Sequence, residues 1–402
     1  MRVYGSDRAG GRRLTESLTR GGQMAAALGL VAAFLLLTSP AGAQGFDVPV
    51  PAALLMDAHT GQILFAKRAD EPFRPASLAK VMTLLVALDA AAAGEVSLAD
   101  PVRASARAAA IGGSQVYLAQ GEVHTLEALL KAIAIAGAND ASIAVAEHIA
   151  GTEEAFVQRM NERARRLSMA NSLFINSHGL PPSTGPDSSW TSARDIARAA
   201  RELIRLYPVV LSWTSVRVET FRTEPLFNLY NTNDMIGWYE GLDGLRTGYT
   251  SEAGYLIVAT AQRGDVRLIA VVMAADSAAT REQATRALLD YGFNRFEARR
   301  LTAGVVGTVT VPDGNPRQLP VRIDEGARVL VPRGGAASVE TAVEPRGELR
   351  APIAAGSEVG EYVVRVGGSE ALRLPLYAAE DVERAGFWTR LWRGVLRLFG
   401  GE

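Results

Sequence analysis

The stretch from Arg74 to Leu88 constrains the fold more than any other part of the 402-residue chain. Pro75 suits the first turn of a helix, where its missing N–H costs nothing. Apolar side chains then recur at helical spacing, at Leu78, Met82, Leu85 and Val86. We therefore expect a largely buried helix over residues 75–92.

Two polar residues lie at the start of this helix, and their spacing suggests chemistry. Ser77 and Lys80 are three positions apart, so their side chains share one face of the helix, one turn from each other. Ser77 also lies in the first turn, where free backbone N–H groups and the helix dipole favour developing negative charge. Because burial lowers the pKa of a lysine, we expect Lys80 to act as a base that activates Ser77 as a nucleophile.

The choice of basic residues supports this hypothesis, although a Ser-x-x-Lys spacing also arises by chance in a chain of this size. Lysine occurs only at Lys67, Lys80 and Lys131, and every other residue with a cationic side chain, histidine aside, is arginine. Arginine is not deprotonated in proteins, whereas lysine is. The chain therefore keeps a lysine at a position where the chemistry needs a deprotonatable amine.

Composition narrows the function classes further. The formal net charge of −1 gives no reason to expect a nucleic-acid partner. The absence of cysteine excludes disulfides, thiol catalysis and cysteine metal sites, and it suits an exported bacterial protein. The four histidines form no metal-binding motif, so we expect no metal, and the chemistry suggested by Ser77 and Lys80 implies no organic cofactor.

The first 43 residues are typical of a signal peptide. Several arginines precede an apolar run from Met24 to Thr38, and Ala41-Gly42-Ala43 is a small-residue cleavage site. The run is short for a transmembrane helix, but an uncleaved anchor is the alternative. Either way, the rest of the chain is expected outside the cytoplasm.

Residues 44–295 predict a domain that mixes helices and strands. An apolar hairpin is expected over residues 51–67, and several amphipathic helices follow up to residue 206. Two β-branched runs then flank a turn near residue 264, and a last helix follows. Helices early and an antiparallel meander late predict an α+β domain with helices packed on an antiparallel sheet.

Two further segments follow this domain. Residues 296–378 contain short strands separated by Gly and Pro, which predicts a small all-β domain. Residues 379–402 predict an amphipathic helix with aromatic and aliphatic residues on one side and arginines on the other, a pattern typical of a membrane interface. Docking of this helix on the β domain is the alternative.

Residues 48–293 resemble the serine D-alanyl-D-alanine carboxypeptidases, the low-molecular-mass penicillin-binding proteins, and the last two segments extend the resemblance. The family carries Ser-x-x-Lys, Ser-x-Asn and Lys-Thr-Gly motifs in that order. The first matches at Ser77 to Lys80. The second reads Gly137-Ala138-Asn139 and the third Arg246-Thr247-Gly248. Further matches are Gly113-Ser114, Asn176 with His178-Gly179-Leu180, Thr191 with Ala193-Arg194-Asp195, and Asp290 to Phe293.

The resemblance implies a penicillin-binding/β-lactamase-like transpeptidase domain and assigns catalytic roles. Ser77 would attack the penultimate D-Ala carbonyl, with Lys80 as base. Asn139 would hold Lys80 and the substrate amide. The backbone N–H groups of Ser77 and Tyr249 would form the oxyanion hole.

The resemblance also implies a substrate-binding set, in which two positions depart from the family pattern. Arg246 keeps the cation that meets the substrate carboxylate but loses a deprotonatable amine. Gly137 lacks the hydroxyl that relays a proton, and a bound water or a neighbour such as Ser114 or Ser142 would have to compensate. The predicted set is Arg246, Thr247, Gly248, Tyr249, Gly137 and Ser114.

The leading hypothesis is an exported, periplasmic carboxypeptidase, peripherally attached to the cytoplasmic membrane, that acts on peptidoglycan stem pentapeptides and is acylated by β-lactams. The two altered motifs support an alternative hypothesis. In it, a protein of this fold binds peptidoglycan or a cell-wall partner with little or no turnover. A β-lactamase would need a base for its deacylating water, and no local motif supplies one. An endopeptidase on cross-linked peptides would use the same chemistry.

Overall fold

The computed structural model describes residues 46–181, 188–334 and 339–389. The predicted signal peptide, residues 1–43, lies outside the described residues. The elements below belong to one compact unit that begins at Val48.

In its described residues, the first domain combines one five-stranded sheet with two two-stranded sheets and eight α-helices. Its strands are β1 (Ala52–Asp57), β2 (Ile63–Lys67), β3 (Pro101–Arg103), β4 (Val123–Thr125), β5 (Val218–Thr223), β6 (Leu226–Tyr230), β7 (Leu242–Thr250), β8 (Gly254–Arg263) and β9 (Val266–Ala275). Its helices are α1 (Lys80–Ala92), α2 (Ala106–Ala110), α3 (Leu126–Ile135), α4 (Asn139–Ala150), α5 (Glu153–Arg166), α6 (Ala193–Leu206), α7 (Val209–Thr214) and α8 (Ala278–Arg295).

The main sheet has five antiparallel strands in the order β2-β1-β9-β8-β7. The predicted opening hairpin forms its first edge, since β1 pairs with β2. The central strands β1, β8 and β9 are almost entirely buried, which is why the sequence shows apolar runs there. Strand β7, which carries the third motif, forms the other edge. The predicted α+β class, with helices on an antiparallel sheet, is confirmed.

The helix predicted at 75–92 begins differently from the prediction. Residues Ala76–Ala79 form a 3₁₀ turn, and the α-helix α1 starts at Lys80. Most of α1 is buried, as its apolar sequence predicts, and it packs against α4, α5 and α6. The site is therefore built on a helix enclosed by the domain core.

Short polar side chains fix where several helices begin. The hydroxyls of Thr125, Thr152, Ser192 and Ser277 each accept a hydrogen bond from the backbone N–H three residues later. Such caps satisfy amides that a helix start leaves free. The sequence does not predict helix α7 and the hairpin β5–β6 in full, because elements of five or six residues are too short to show a clear period.

The second domain is all β, as predicted. Its strands are β10 (Phe296–Leu301), β11 (Gly304–Thr310), β12 (Gly314–Asn315), β13 (Gln318–Ile323), β14 (Ala327–Pro332), β15 (Val339–Pro345), β16 (Glu358–Val366), β17 (Ser369–Ala378) and β18 (Glu383–Arg384). Five of them form a sheet in the order β11-β13-β17-β16-β15, and β10 pairs with β14. Its core is separate from that of the first domain and is centred on residues such as Leu319, Val364 and Leu376.

The boundary between this domain and the predicted tail helix requires a correction. The sequence predicts that the β domain ends at residue 378 and that a helix begins at residue 379. In the structure, β18 pairs with β12, and Val382 is 1% exposed within the β-domain core. The β domain therefore continues to Ala385, because Val382 and Ala385 fill its apolar interior. Most of the predicted helix, residues 390–402, lies outside the described residues.

The described ranges include no helix long and apolar enough to cross a membrane.

Candidate active site

The structure brings Ser77 and Lys80 together at the junction of the 3₁₀ turn and α1. Ser77 is partly exposed, whereas Lys80 is 0% exposed. Lys80 Nζ lies 3.2 Å from Ser77 Oγ. The spacing predicted from the sequence is thus realised as a direct contact between the two reactive groups.

Lys80 has three hydrogen-bond neighbours, and two of them can only accept. Its Nζ donates to Asn139 Oδ1 at 2.7 Å and to the backbone carbonyl of His178 at 2.6 Å. A neutral amine has two N–H groups and one lone pair. Both N–H groups are taken by these oxygens, so the lone pair faces the remaining neighbour, the Ser77 hydroxyl. This arrangement suits a base that takes the Ser77 proton.

The environment of Lys80 favours its neutral form. Complete burial lowers the pKa of Lys80 well below the usual lysine value, and the nearby charge of Arg246 lowers it further. The carboxylate of Asp140 acts in the opposite direction, but burial is the larger effect. Lys80 can therefore act as a base at a pH where an exposed lysine would be protonated.

The two acceptors of Lys80 are themselves fixed. Asn139 Nδ2 donates to the Gly112 carbonyl at 2.7 Å, which turns Oδ1 towards Lys80. Burial lowers the pKa of His178 to about 3, so the imidazole is neutral. Its Nδ1 accepts a hydrogen bond from the backbone N–H of Leu180. His178 therefore contributes a carbonyl, not an acid or base.

Sequence reasoning missed Asp140, which supports the site from behind. Its carboxylate is 1% exposed and accepts hydrogen bonds from the backbone N–H groups of Val116 and Leu118. These contacts hold the loop after Gly112 against the start of α4. The acidic residue directly after Asn139, in the first turn of a helix, was the available signal. The backbone carbonyls of Gly112 and His178 leave no signal in the sequence.

The loop that carries the His178 carbonyl packs closely on the 3₁₀ turn Ala76–Ala79, which contains Ser77. Asn176 bridges this loop, since it accepts from the Gly179 N–H and donates to the Leu180 carbonyl. Gly179 has φ +85, and a Cβ there would lie 1.8 Å from the Ala76 carbonyl oxygen. Only glycine allows this approach.

Strand β7 places three of the predicted substrate-binding residues beside Ser77. A Cβ on Gly248 would lie 3.1 Å from the Ser77 backbone nitrogen, so the strand runs directly along the 3₁₀ turn that contains Ser77. The Thr247 hydroxyl donates to the Thr232 carbonyl and lies 2.7 Å from the Thr232 hydroxyl. Tyr249 is 56% exposed, with its ring stacked at a tilt on Tyr255.

Arg246 is the most enclosed residue of the third motif. Its side chain is buried, and its guanidinium donates to the carbonyls of Ile133 and Ala134 at the end of α3 and to Thr232 Oγ1. A bidentate contact with a substrate carboxylate would require some of these bonds to break. The predicted role of Arg246 in binding substrate therefore stays a prediction.

Gly137, Ser114 and Ser142, the three positions linked to the missing hydroxyl, lie in different environments. Gly137 lies against Arg246. Ser114 is exposed, and its backbone carbonyl accepts from the Asn139 N–H at 2.7 Å. The Ser142 hydroxyl donates to the Ala138 carbonyl within α4 and is fully buried, so it is already committed there. Of the two serines, only Ser114 is accessible for a role in proton transfer.

Two family models match the chain. Residues 39–277 match the family described as D-alanyl-D-alanine carboxypeptidase, and residues 296–384 match the penicillin-binding protein 5 C-terminal domain. The first match spans more than half of the chain. The chain therefore belongs to the D-alanyl-D-alanine carboxypeptidase family, and the predicted class of serine carboxypeptidase hydrolases is confirmed.

Known proteins support the same assignment. The D-alanyl-D-alanine carboxypeptidase DacF of Bacillus subtilis is 37% identical over 346 residues, which cover 85% of this chain and 88% of DacF. Penicillin-binding protein 5 of Haemophilus influenzae is 29% identical, with a TM-score of 0.75, covering 85% of this chain and all of that one. Ampicillin-bound penicillin-binding protein D2 of Listeria monocytogenes is 30% identical, with a TM-score of 0.56, covering 62% of this chain and 98% of its own.

The close approach at Gly179 generates a prediction about stability. Gly179→Ala should lower the free energy of unfolding by about 2 kcal/mol more than Gly94→Ala, because the new methyl group would overlap a backbone oxygen. Gly94 is a matched control, since it has φ +74 and no atom within 4 Å of its Cβ position. Urea unfolding measures both. Equal losses in the two variants would contradict this packing.

Proposed function

We propose that this chain removes the terminal D-Ala from peptidoglycan stem pentapeptides through an acyl-enzyme on Ser77. One observation carries the proposal: both N–H groups of a neutral Lys80 are occupied by carbonyl oxygens, so its lone pair faces Ser77 Oγ. Family membership supports the substrate class, and the ampicillin-bound relative supports β-lactams as acylating inhibitors.

The reaction begins with proton transfer from Ser77 to Lys80. Ser77 Oγ attacks the carbonyl carbon of the penultimate D-Ala, and its proton passes to Lys80 Nζ. The tetrahedral intermediate collapses, the C–N bond breaks, and the departing amine takes a proton that Lys80 gives up. Water then attacks the Ser77 ester while Lys80 accepts its proton, and the ester C–O bond breaks as Ser77 Oγ takes that proton from Lys80 and the shortened peptide leaves.

Strand β7 and the nucleophile turn provide the binding surfaces for this reaction. The backbone N–H groups of Ser77 and Tyr249 stabilise the oxyanion, and Thr247 and Gly248 line the substrate along the strand. Backbone donors do not depend on the side chain at position 246. Asn139 accepts a hydrogen bond from Lys80 and keeps it oriented, and in this proposal it also holds the substrate amide.

Acylation by benzylpenicillin should depend on Ser77. The wild-type chain is expected to gain one adduct per molecule, because Ser77 Oγ attacks the β-lactam carbonyl as it attacks the peptide. Ser77→Ala is expected to gain none, and D-Ala release from a pentapeptide should fall at least about 10³-fold. Intact-mass spectrometry and a D-Ala assay measure the two results.

Ser369→Ala is the control for this experiment, since Ser369 is an exposed serine on a strand of the β domain. A folded wild-type chain that gains no adduct would contradict the proposed function. It would favour the second hypothesis, a protein of this fold that binds peptidoglycan without turnover. An adduct that persists in Ser77→Ala would contradict the choice of nucleophile.

The depressed pKa of Lys80 predicts the pH dependence of acylation. The active form is the neutral amine, so the acylation rate should fall as the pH drops through the Lys80 pKa, which lies well below the usual lysine value. Lys80→Arg should abolish acylation, because arginine stays protonated. Lys131→Arg is the matched control and should leave the profile unchanged, since Lys131 pairs with Glu219 away from the site.

Stopped-flow acylation at a series of pH values measures this profile. An acid limb near the pKa of an exposed lysine, roughly 10.4, would show that Lys80 is not the neutral base. Substantial acylation of Lys80→Arg would lead to the same conclusion.

We propose in addition that the mature chain is exported and attaches to the membrane surface through its C-terminal segment. Phe387 and Trp388, the first aromatic residues of the predicted amphipathic helix, are 65% and 77% exposed. Arginines at 390, 393 and 397 follow them in the sequence. Exposed aromatics beside cationic side chains suit the interface of an anionic bilayer.

Truncation after Ala385 tests this attachment and leaves the β domain intact. The mature chain should sediment with vesicles that contain anionic phospholipid, and the truncated chain should remain in the supernatant. Trp388→Ser should weaken sedimentation, whereas Tyr117→Ser, at another exposed aromatic residue, is the control. Equal sedimentation of the mature and truncated chains would contradict the proposal.

A further inference from the structure

Gly137 and Arg246 compete for one space in the structure. Gly137 has φ +71, and a Cβ built on it would lie 1.9 Å from Arg246 Nη2 and 2.4 Å from Cζ. No pair of non-bonded heavy atoms approaches so closely. Any side chain at position 137 would therefore require the guanidinium to move.

The guanidinium is not free to move without cost. Nη1 donates to the carbonyls of Ile133 and Ala134 at 3.1 and 3.2 Å, and Nε donates to the Thr247 carbonyl at 3.1 Å. The carbonyls of Ile133 and Ala134 belong to the last turn of α3, where the helix dipole favours a cation, and the Ile133 carbonyl also accepts from the Gly137 N–H. Displacement of the guanidinium would leave a buried charge without these hydrogen bonds.

Arg246 Nη2 faces Gly137 and can donate a further hydrogen bond. Within the described part of the chain, Nη2 has one hydrogen-bond partner, Thr232 Oγ1 at 3.1 Å, although it carries two N–H groups. Thr232 in turn contacts Thr247 on the strand beside Ser77. The cation is thus connected both to the second motif, through Gly137, and to the third.

We propose that Gly137 and Arg246 form an interdependent pair, in which the guanidinium fills the space over the glycine and is held there as a positioning residue that contributes its charge to the environment of Lys80. The glycine in the second motif and the arginine in the third are then one coupled change and not two independent losses of catalytic groups. The proposal deepens the function proposed above and rests on it for its catalytic part.

The pair changes the path of the proton. Position 137 has no hydroxyl, and Arg246 stays protonated, so neither residue relays a proton. Lys80 Nζ accepts the proton from Ser77 Oγ and returns it to the leaving nitrogen as the C–N bond breaks. The charged groups around Lys80 are Arg246 on β7 and Asp140 on α4, and the neutral His178 lies on the third side. Arg246 disfavours the protonated form of Lys80 and so favours return of the proton to the leaving nitrogen.

A double-mutant cycle tests the pair. Gly137→Ser should lower Tm and slow acylation by benzylpenicillin at least about 10-fold, because the new side chain displaces the guanidinium. Adding Arg246→Lys should restore much of both, since the slimmer side chain leaves room for serine. Gly94→Ser is the control: it shares the positive φ but has open space around its Cβ, so it isolates backbone strain and should not slow acylation.

Two results would overturn the interdependence. One is a Gly137→Ser variant that melts and acylates like Gly94→Ser. The other is a double variant whose losses are the sum of the single ones. The Tm measurements need no substrate, so the pair is tested even if the wild-type chain is not acylated, a result that would contradict the proposed function alone.

A pH profile tests the positioning role separately from packing. Arg246→Gln removes the charge but keeps donors for the α3 carbonyls, so the acid limb of acylation should move to higher pH as Lys80 becomes easier to protonate. Arg246→Lys keeps a cation, so the acid limb of its acylation profile should lie nearer to that of the wild type. An unshifted limb in Arg246→Gln would overturn the electrostatic role of the pair.

Discussion

The burial of one amine is the constraint on which the site depends. Lys80 is fully enclosed, yet its two N–H groups have oxygen partners and its lone pair faces a hydroxyl. Complete burial disfavours the ammonium form of Lys80, and the neutral amine is satisfied by this arrangement. The apolar helix α1, the start of α4 and the His178 loop all contribute to keeping it neutral.

The rest of the domain serves to bring three distant segments to this amine. The strand order places β7 at the edge of the main sheet, and Gly248 lets it run along the Ser77 turn. Gly179 allows the loop of residue 178 to press on the same turn, and Asp140 fixes the loop that orients Asn139. Backbone positions without side chains thus matter as much as the reactive residues.

The sequence predicted the fold class, the helix of Ser77 and Lys80, and the contact between them, because apolar periodicity and local spacing are direct consequences of the sequence. It could not predict the Gly112 and His178 carbonyls, since every residue carries the same backbone groups. It also treated Gly137 and Arg246 as separate departures, because they are 109 positions apart in the chain and only the folded structure shows that they share one space. The end of the β domain was placed too early, since a two-residue strand gives no periodic signal.

The most direct test of this account is a titration of Lys80 by NMR of ¹⁵N-labelled lysine side chains. The chain has only three lysines, so Lys67→Arg and Lys131→Arg assign the signals. The account predicts that Lys80 titrates well below the usual lysine value, and that Arg246→Gln raises its pKa. Titration of Lys80 near 10.4, roughly the value of an exposed lysine, would contradict the claim that a neutral amine activates Ser77.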